Sequence, residues 1–179
     1  MTELDRHIFF TVYSSAPPWP WLWFMAALSA VGGGWGLLGT LPFLARLDTR
    51  RAAARLLLVL LATAIAVFAL KAGLGRVRPC SALEGVRALV FAPPHDPSFP
   101  SGHAAGSFAF AAYLARRDRP YRSLALFLAA SCVALSRVVL GVHFPADVTF
   151  GAALGTCFGL VGARISGLPS RVIWSKLRP

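Results

Sequence analysis

The chain has 179 residues, of which 56% are hydrophobic and only 14% charged, with a formal net charge of +11 at neutral pH. That composition is too apolar for an ordinary soluble domain and fits one small integral membrane domain spanning residues 1–179. The positive charge falls in short bursts between apolar runs, with no basic face on a soluble fold, so it reads as a topology signal and argues against a nucleic-acid partner. The cysteines are scattered, with Cys80 in a polar segment and Cys132 and Cys157 in apolar ones, so neither a disulfide framework nor a zinc site follows. The acidic start, Met1-Thr2-Glu3-Leu4-Asp5, does not read as a cleaved signal peptide.

Residues 1–18 open with Ile8, Phe9, Phe10, Val12 and Tyr13, a pattern that predicts an amphipathic interfacial helix broken by Pro17, Pro18 and Pro20. A first apolar run follows from about Trp19 to Ala45 and a second from about Ala52 to Leu74. A polar, proline-rich loop covers Gly75 to Pro100. A third, shorter run begins at Ser101 and ends at Arg116-Arg117-Asp118-Arg119. The fourth covers Tyr121 to Val142 and the fifth Pro145 to about Val161. Each approaches the ~20 residues that cross a ~30 Å hydrocarbon core as a helix. The predicted fold class is therefore all-α: a polytopic transmembrane bundle of about five spans plus the N-terminal helix.

Arginines and lysines gather after the first run, after the third and after the fifth, which by the positive-inside rule makes that face cytoplasmic. Alternation of the spans then places Lys71, Arg78, His103, Arg137 and His143 on the opposite face, periplasmic in a bacterium. Trp19, Trp21 and Trp23 read either as an aromatic belt at that interface or as part of the first span. Gly151, Gly155 and Gly159, four apart, form a small-residue ridge suited to close packing within the monomer or, less readily, between monomers.

Ionisable groups at the ends of membrane spans are functional candidates because lipid makes them costly. Ser101-Gly102-His103 opens a helix after Pro100. A helix N-terminus has unpaired amides and partial positive charge, and Gly102 lets a phosphate approach the backbone. Ser101 caps that helix or donates its hydroxyl. Lys71 and Arg78 offer a point charge and a planar fork for the same anion, against the plainer alternative of snorkelling, which is the preferred reading for Arg76. Arg137 ends the fourth run, and His143 and Asp147 flank Pro145. Asp147 lies four residues after His143, close enough to hold one ring nitrogen and aim the other outward as a nucleophile. The plainer alternative for Asp147 is a charge favoured by the helix dipole.

Taken together, Lys71 with Arg78-Pro79, then Pro100-Ser101-Gly102-His103, then Ser136-Arg137 with His143 and Asp147, resemble the three motifs of the type 2 phosphatidic acid phosphatase (PAP2) family, with every spacing met between Lys71 and Gly159. Family members usually have six spans, one more than this chain shows. The resemblance implies that His143 attacks phosphorus to form a phosphohistidine and that Asp147 orients it. His103 would protonate the leaving oxygen and then activate water. Lys71, Arg78 and Arg137, with Ser101 and the Gly102 amide, would bind the phosphate without a metal or other cofactor. The implied substrate is a phosphate or diphosphate on a lipid. Undecaprenyl diphosphate leads, and lipid A 1-phosphate, phosphatidylglycerophosphate and phosphatidic acid are the rivals. Phosphotransfer and non-enzymatic lipid-phosphate transport are the other classes. Between Arg78 and Pro100, the apolar patch of Val86, Ala88, Leu89, Val90 and Phe91 reads equally as a membrane-dipping loop or as a packed lid. Glu84, His95 and Asp96 read as solvated loop residues.

Overall fold

The computed structural model describes residues 2–33, 45, 50–115 and 119–165, and among these every regular element is a helix. In chain order they are α1 (Glu3–Val12), α2 (Trp19–Gly32), α3 (Arg50–Leu74), α4 (Pro79–Ala82), α5 (Gly102–Leu114), α6 (Pro120–Val139) and α7 (Pro145–Ile165). Helical stretches at Arg50–Ala82, Pro120–Val139 and Pro145–Ile165 are long and apolar enough to cross a membrane. The third predicted run is the one that falls short: α5 has 13 residues, about 20 Å of helix against a core of ~30 Å. Its helix ends where Ala115 turns to extended dihedrals. The first predicted run is helical over Trp19–Gly32, and the stretch 34–44 lies outside the described residues.

Prolines begin α4, α6 and α7, where the absent N–H would be unsatisfied in any case. Large apolar side chains such as Leu58, Leu61, Ile65, Phe68, Leu124 and Leu128 are exposed, the outward-facing surface that a hydrocarbon environment requires. Inside, the glycine ridge of α7 packs within the monomer on α5. A Cβ on Gly151 would lie 2.6 Å from the Ser101 carbonyl oxygen, and one on Gly155 or Gly159 would run into the backbone at Ala105 or Ala109. Only a residue without a side chain permits that approach, and it brings the turn at Ser101 down onto the start of α7.

The end of α1, the loop before α5, the end of α6 and the start of α7 meet in two adjoining apolar clusters. Phe9 and Tyr13 pack with Val86, Ala134, Val138, Phe144 and Val148, while Leu22 and Met25 of α2 pack with Val139, Leu140 and Val142. Leu89 touches both groups, and Ala88 and Val90 touch the second. The loop is therefore a packed lid over these positions, with Phe91 half-exposed. After α6 the chain reverses at Gly141, whose φ of +76° lies in the left-handed region that favours glycine. A Cβ there would also sit 2.5 Å from the Arg87 carbonyl oxygen. That reversal folds the amides of Val142 and His143 back onto the Arg137 carbonyl, at 3.2 and 3.3 Å.

Candidate active site

His143 stands in the turn between α6 and α7, 2% exposed. Its Nδ1 faces Asp147 Oδ2 at 3.6 Å and Ser98 Oγ at 3.4 Å. Its Nε2 lies 3.1 Å from Arg78 Nη1. A guanidinium only donates, so Nε2 must be the unprotonated, accepting nitrogen and Nδ1 must carry the proton. The nitrogen with the lone pair is thus the one that faces the cations. Burial, together with the Arg78 and Arg137 charges, lowers the imidazole pKa to about 4 against the opposing pull of Asp147, so the ring is neutral at neutral pH.

Asp147 occupies the first turn of α7 and is fully buried. Its Oδ2 accepts from the Phe144 amide at 2.8 Å and from the Ser98 hydroxyl. The first of these is the reciprocal bond of a helix cap, in which a first-turn carboxylate reaches back to the residue before the helix. Asp147 therefore both caps α7, as the plainer alternative expects, and lies against His143. Its Oδ1 receives Arg76 Nη1 at 2.6 Å. Arg76 also binds Asp5 Oδ2 at 2.5 Å and lies 4.4 Å over the Phe144 ring. This corrects the snorkelling assignment. Arg76 turns inward because two buried carboxylates and an aromatic face offer it more than an interface does.

Lys71, at the end of α3, and Arg78, just after it, are held by one residue of the loop. Lys71 Nζ meets Asp96 Oδ2 at 2.8 Å and Arg78 Nη2 meets Asp96 Oδ1 at 2.9 Å. Arg78 Nε also binds the Asp96 carbonyl oxygen at 2.8 Å, and Lys71 Nζ the Pro97 carbonyl oxygen. Asp96 is thus no free loop residue, although its side chain is 54% exposed. Burial opposes its charge, but the hydrogen bond from Lys71 and the charges of Arg78 and Lys71 outweigh that and hold its carboxyl at about 2. Its two carboxylate oxygens thus occupy an anion position between Lys71 and Arg78.

Arg137, 6% exposed, binds the Ser29 hydroxyl of α2 through Nη1, and its Nε is buried without a partner among the described residues. A buried guanidinium donor left open is costly and marks a place for an acceptor. Ser101 takes the cap position: its Oγ accepts from the Ala104 amide at 3.5 Å, and its own amide donates to the Asp147 carbonyl oxygen at 3.0 Å. Gly102 begins α5 and is exposed. His103 follows on the same first turn, within electrostatic reach of Arg137, His143, Arg78 and Lys71. A Cβ on Gly33, just after α2, would sit 3.2 Å from His103 Nε2. A cavity of about 540 Å³ begins at Lys71, Gly102 and His103 and continues between α2, α3, α5 and α6, where Leu60, Phe68, Phe110 and Leu126 line it.

The predicted site residues Lys71, Arg78, Ser101, Gly102, His103, Arg137, His143 and Asp147 therefore come to one end of the bundle. Four others join them: Asp5, Arg76, Asp96 and Ser98. Ser98 and Asp96 carry a faint signal, since Asp96-Pro97-Ser98 runs straight into the Pro100-Ser101 turn. Asp5 carries none, because its partners lie far along the chain.

A membrane helix bundle that gathers two histidines, an aspartate and several cations at one buried end defines a class of anion-handling integral membrane proteins. Within that class the chain belongs to the PAP2 superfamily, whose family model matches residues 52–169. A crystal structure of Aquifex aeolicus LpxE superposes with a TM-score of 0.81 and 29% identity, covering 91% of this chain and 96% of that one. The chain is 38% identical over 74 residues to decaprenylphosphoryl-5-phosphoribose phosphatase of Mycobacterium tuberculosis, covering 41% of this chain and 40% of that protein. It is 38% identical over 98 residues to lipid A 1-phosphatase of Rhizobium johnstonii, covering 52% of this chain and 39% of that protein. The chain thus spans about two fifths of the length of the curated relatives it matches.

Proposed function

We propose that the protein is a metal-independent lipid phosphatase working through a phosphohistidine on His143. The observation that carries this is the His143 ring itself, with its proton-bearing nitrogen against Asp147 and Ser98 and its lone pair among cations. The phosphate displaces Asp96 from Lys71 and Arg78 and takes the open Nε of Arg137, the Ser101 hydroxyl proton and the Gly102 amide. The Nε2 lone pair of His143 forms the N–P bond as the P–O bond to the lipid breaks, and His103 gives its proton to the leaving oxygen. His103 then takes a proton from water as water attacks the phosphohistidine, returning His143 and releasing phosphate. Phosphoryl transfer is mostly positioning and charge stabilisation, so three fixed cations suffice for the developing charge.

The apolar cavity leading from Lys71 and His103 favours a substrate with a long hydrocarbon tail. A polyprenyl diphosphate such as undecaprenyl diphosphate is the leading candidate, in keeping with the decaprenyl relative. A lipid A 1-phosphate is the second, favoured by the likeness to LpxE and to the Rhizobium enzyme. The site faces the periplasm in this account, because Arg50, Arg51 and Arg55 of α3, Arg122 of α6 and Arg164 of α7 lie at the helix ends away from it. Purified protein given a panel of polyprenyl, lipid A and glycerolipid phosphates with chelator present should release free phosphate, and His143→Ala should not. Turnover that a chelator stops, or that survives His143→Ala, overturns the assignment; a labelled phosphate passed to a second lipid rather than to water would make the protein a phosphotransferase.

A further inference from the structure

We propose that Asp5 and Arg76 are positioning residues for the reaction at His143, and that the N-terminal helix is thereby a working part of the site. Thr2 caps α1, with its Oγ1 accepting from the Asp5 amide at 3.3 Å. A carboxylate in this first turn would ordinarily stay in water against the helix dipole. Asp5 is instead 5% exposed and reaches across the core. Its Oδ1 accepts from the Ala146 amide of α7 at 2.9 Å and its Oδ2 from Arg76. Arg76 passes the contact on to Asp147, and Phe9, stacked on Tyr13 and packed on Phe144, fixes α1 in place.

The charge count explains why two carboxylates are needed. If His143 is the nucleophile, as proposed above, its ring becomes cationic when it carries the phosphoryl group. Arg76 alone would cancel the charge of Asp147 and leave that cation unsupported. With Asp5 the buried set of two carboxylates and one guanidinium keeps one net negative charge, which the cationic ring then neutralises. The other groups facing His143 are Arg78 after α3, Arg137 on α6 and His103 on α5, with Lys71 and Asp96 behind Arg78. None of these contacts Asp5 among the interactions described above.

The two ends of this chain of contacts have opposite effects. Asp5→Asn keeps the acceptor for Ala146 but removes a negative charge, so His143 becomes harder to protonate and the acid limb of the pH profile of kcat/KM moves to lower pH. Arg76→Gln removes a positive charge, so the limb moves to higher pH. In full-length protein in detergent, both should lower kcat by roughly tenfold or more, as loss of an orienting partner commonly does, with KM changed by less than about twofold. Asp5→Glu should restore the limb of the wild type. Phe9→Leu, which loosens the docking of α1 without touching a charge, should lower the melting temperature and leave the limb in place. A limb that stays put in both charge variants, moves the same way in both, or moves in Phe9→Leu as it does in Asp5→Asn overturns the proposal. If His143→Ala retains turnover, the nucleophile is wrong; if it is inactive while Asp5→Asn and Arg76→Gln match the wild type, only the role of the N-terminal helix is.

Discussion

Two sets of ion pairs meet at His143, and their carboxylates differ in depth. On one side, Lys71 and Arg78 hold Asp96, whose side chain is 54% exposed. On the other, Arg76 joins Asp5 and Asp147, at 5% and 0% exposure. Lys71 and Arg78 are themselves 11% and 5% exposed, but the carboxylate they hold stays half in water, so an incoming phosphate with more charge and more oxygens can replace it. Breaking a buried pair costs about 3–5 kcal/mol, because the partner left behind stays charged and dry. The same interaction type thus serves two ends: the outer set holds a place for the ligand, and the inner set holds the machinery still.

The variant expected to break this contrast most severely is Asp147→Asn. The inner set loses its centre, and the amide cannot hold the Nδ1 proton as the carboxylate does. Turnover should fall by about 10³-fold or more with KM little changed, measured as steady-state phosphate release. Arg137→Leu removes the buried donor that has no partner among the described residues, and kcat/KM should fall about 10²-fold. The pH profile comes next. Because the His143 pKa is lowered to about 4, the nucleophile stays neutral from alkaline pH down to that point, and activity should fall as pH drops through about 4. A limb near 6.5 would mean that the ring sits in water rather than behind Arg78 and Asp147. The smallest effect sharpens the outer set. Asp96→Asn weakens the occupant that phosphate must displace, so inorganic phosphate should inhibit severalfold more tightly while kcat stays within about twofold.

The spacing of charged residues between Lys71 and Asp147 made the outer cations and the imidazole legible from the sequence, since those motifs are local and their chemistry is fixed by residue type. The class of fold was legible for a similar reason, because long apolar runs admit few structures. Helix ends were less so: α6 stops at Val139, before Val142, so that Gly141 can reverse the chain. Asp5 was missed and Arg76 misread because their roles depend on tertiary contacts. Arg76 meets Asp147 across 71 positions and Asp5 meets Ala146 across 141, distances at which no local pattern carries information. Asp96 was misread because an exposed loop carboxylate looks solvated until the two cations it joins are seen side by side.

The central claim is that His143 carries the phosphoryl group. Protein mixed with a lipid substrate labelled in the phosphate, then quenched within one turnover at alkaline pH where phosphohistidine survives, should yield label on the peptide containing His143, and none in the His143→Ala protein. Turnover without any labelled protein, or label on His103 or another residue, would contradict it.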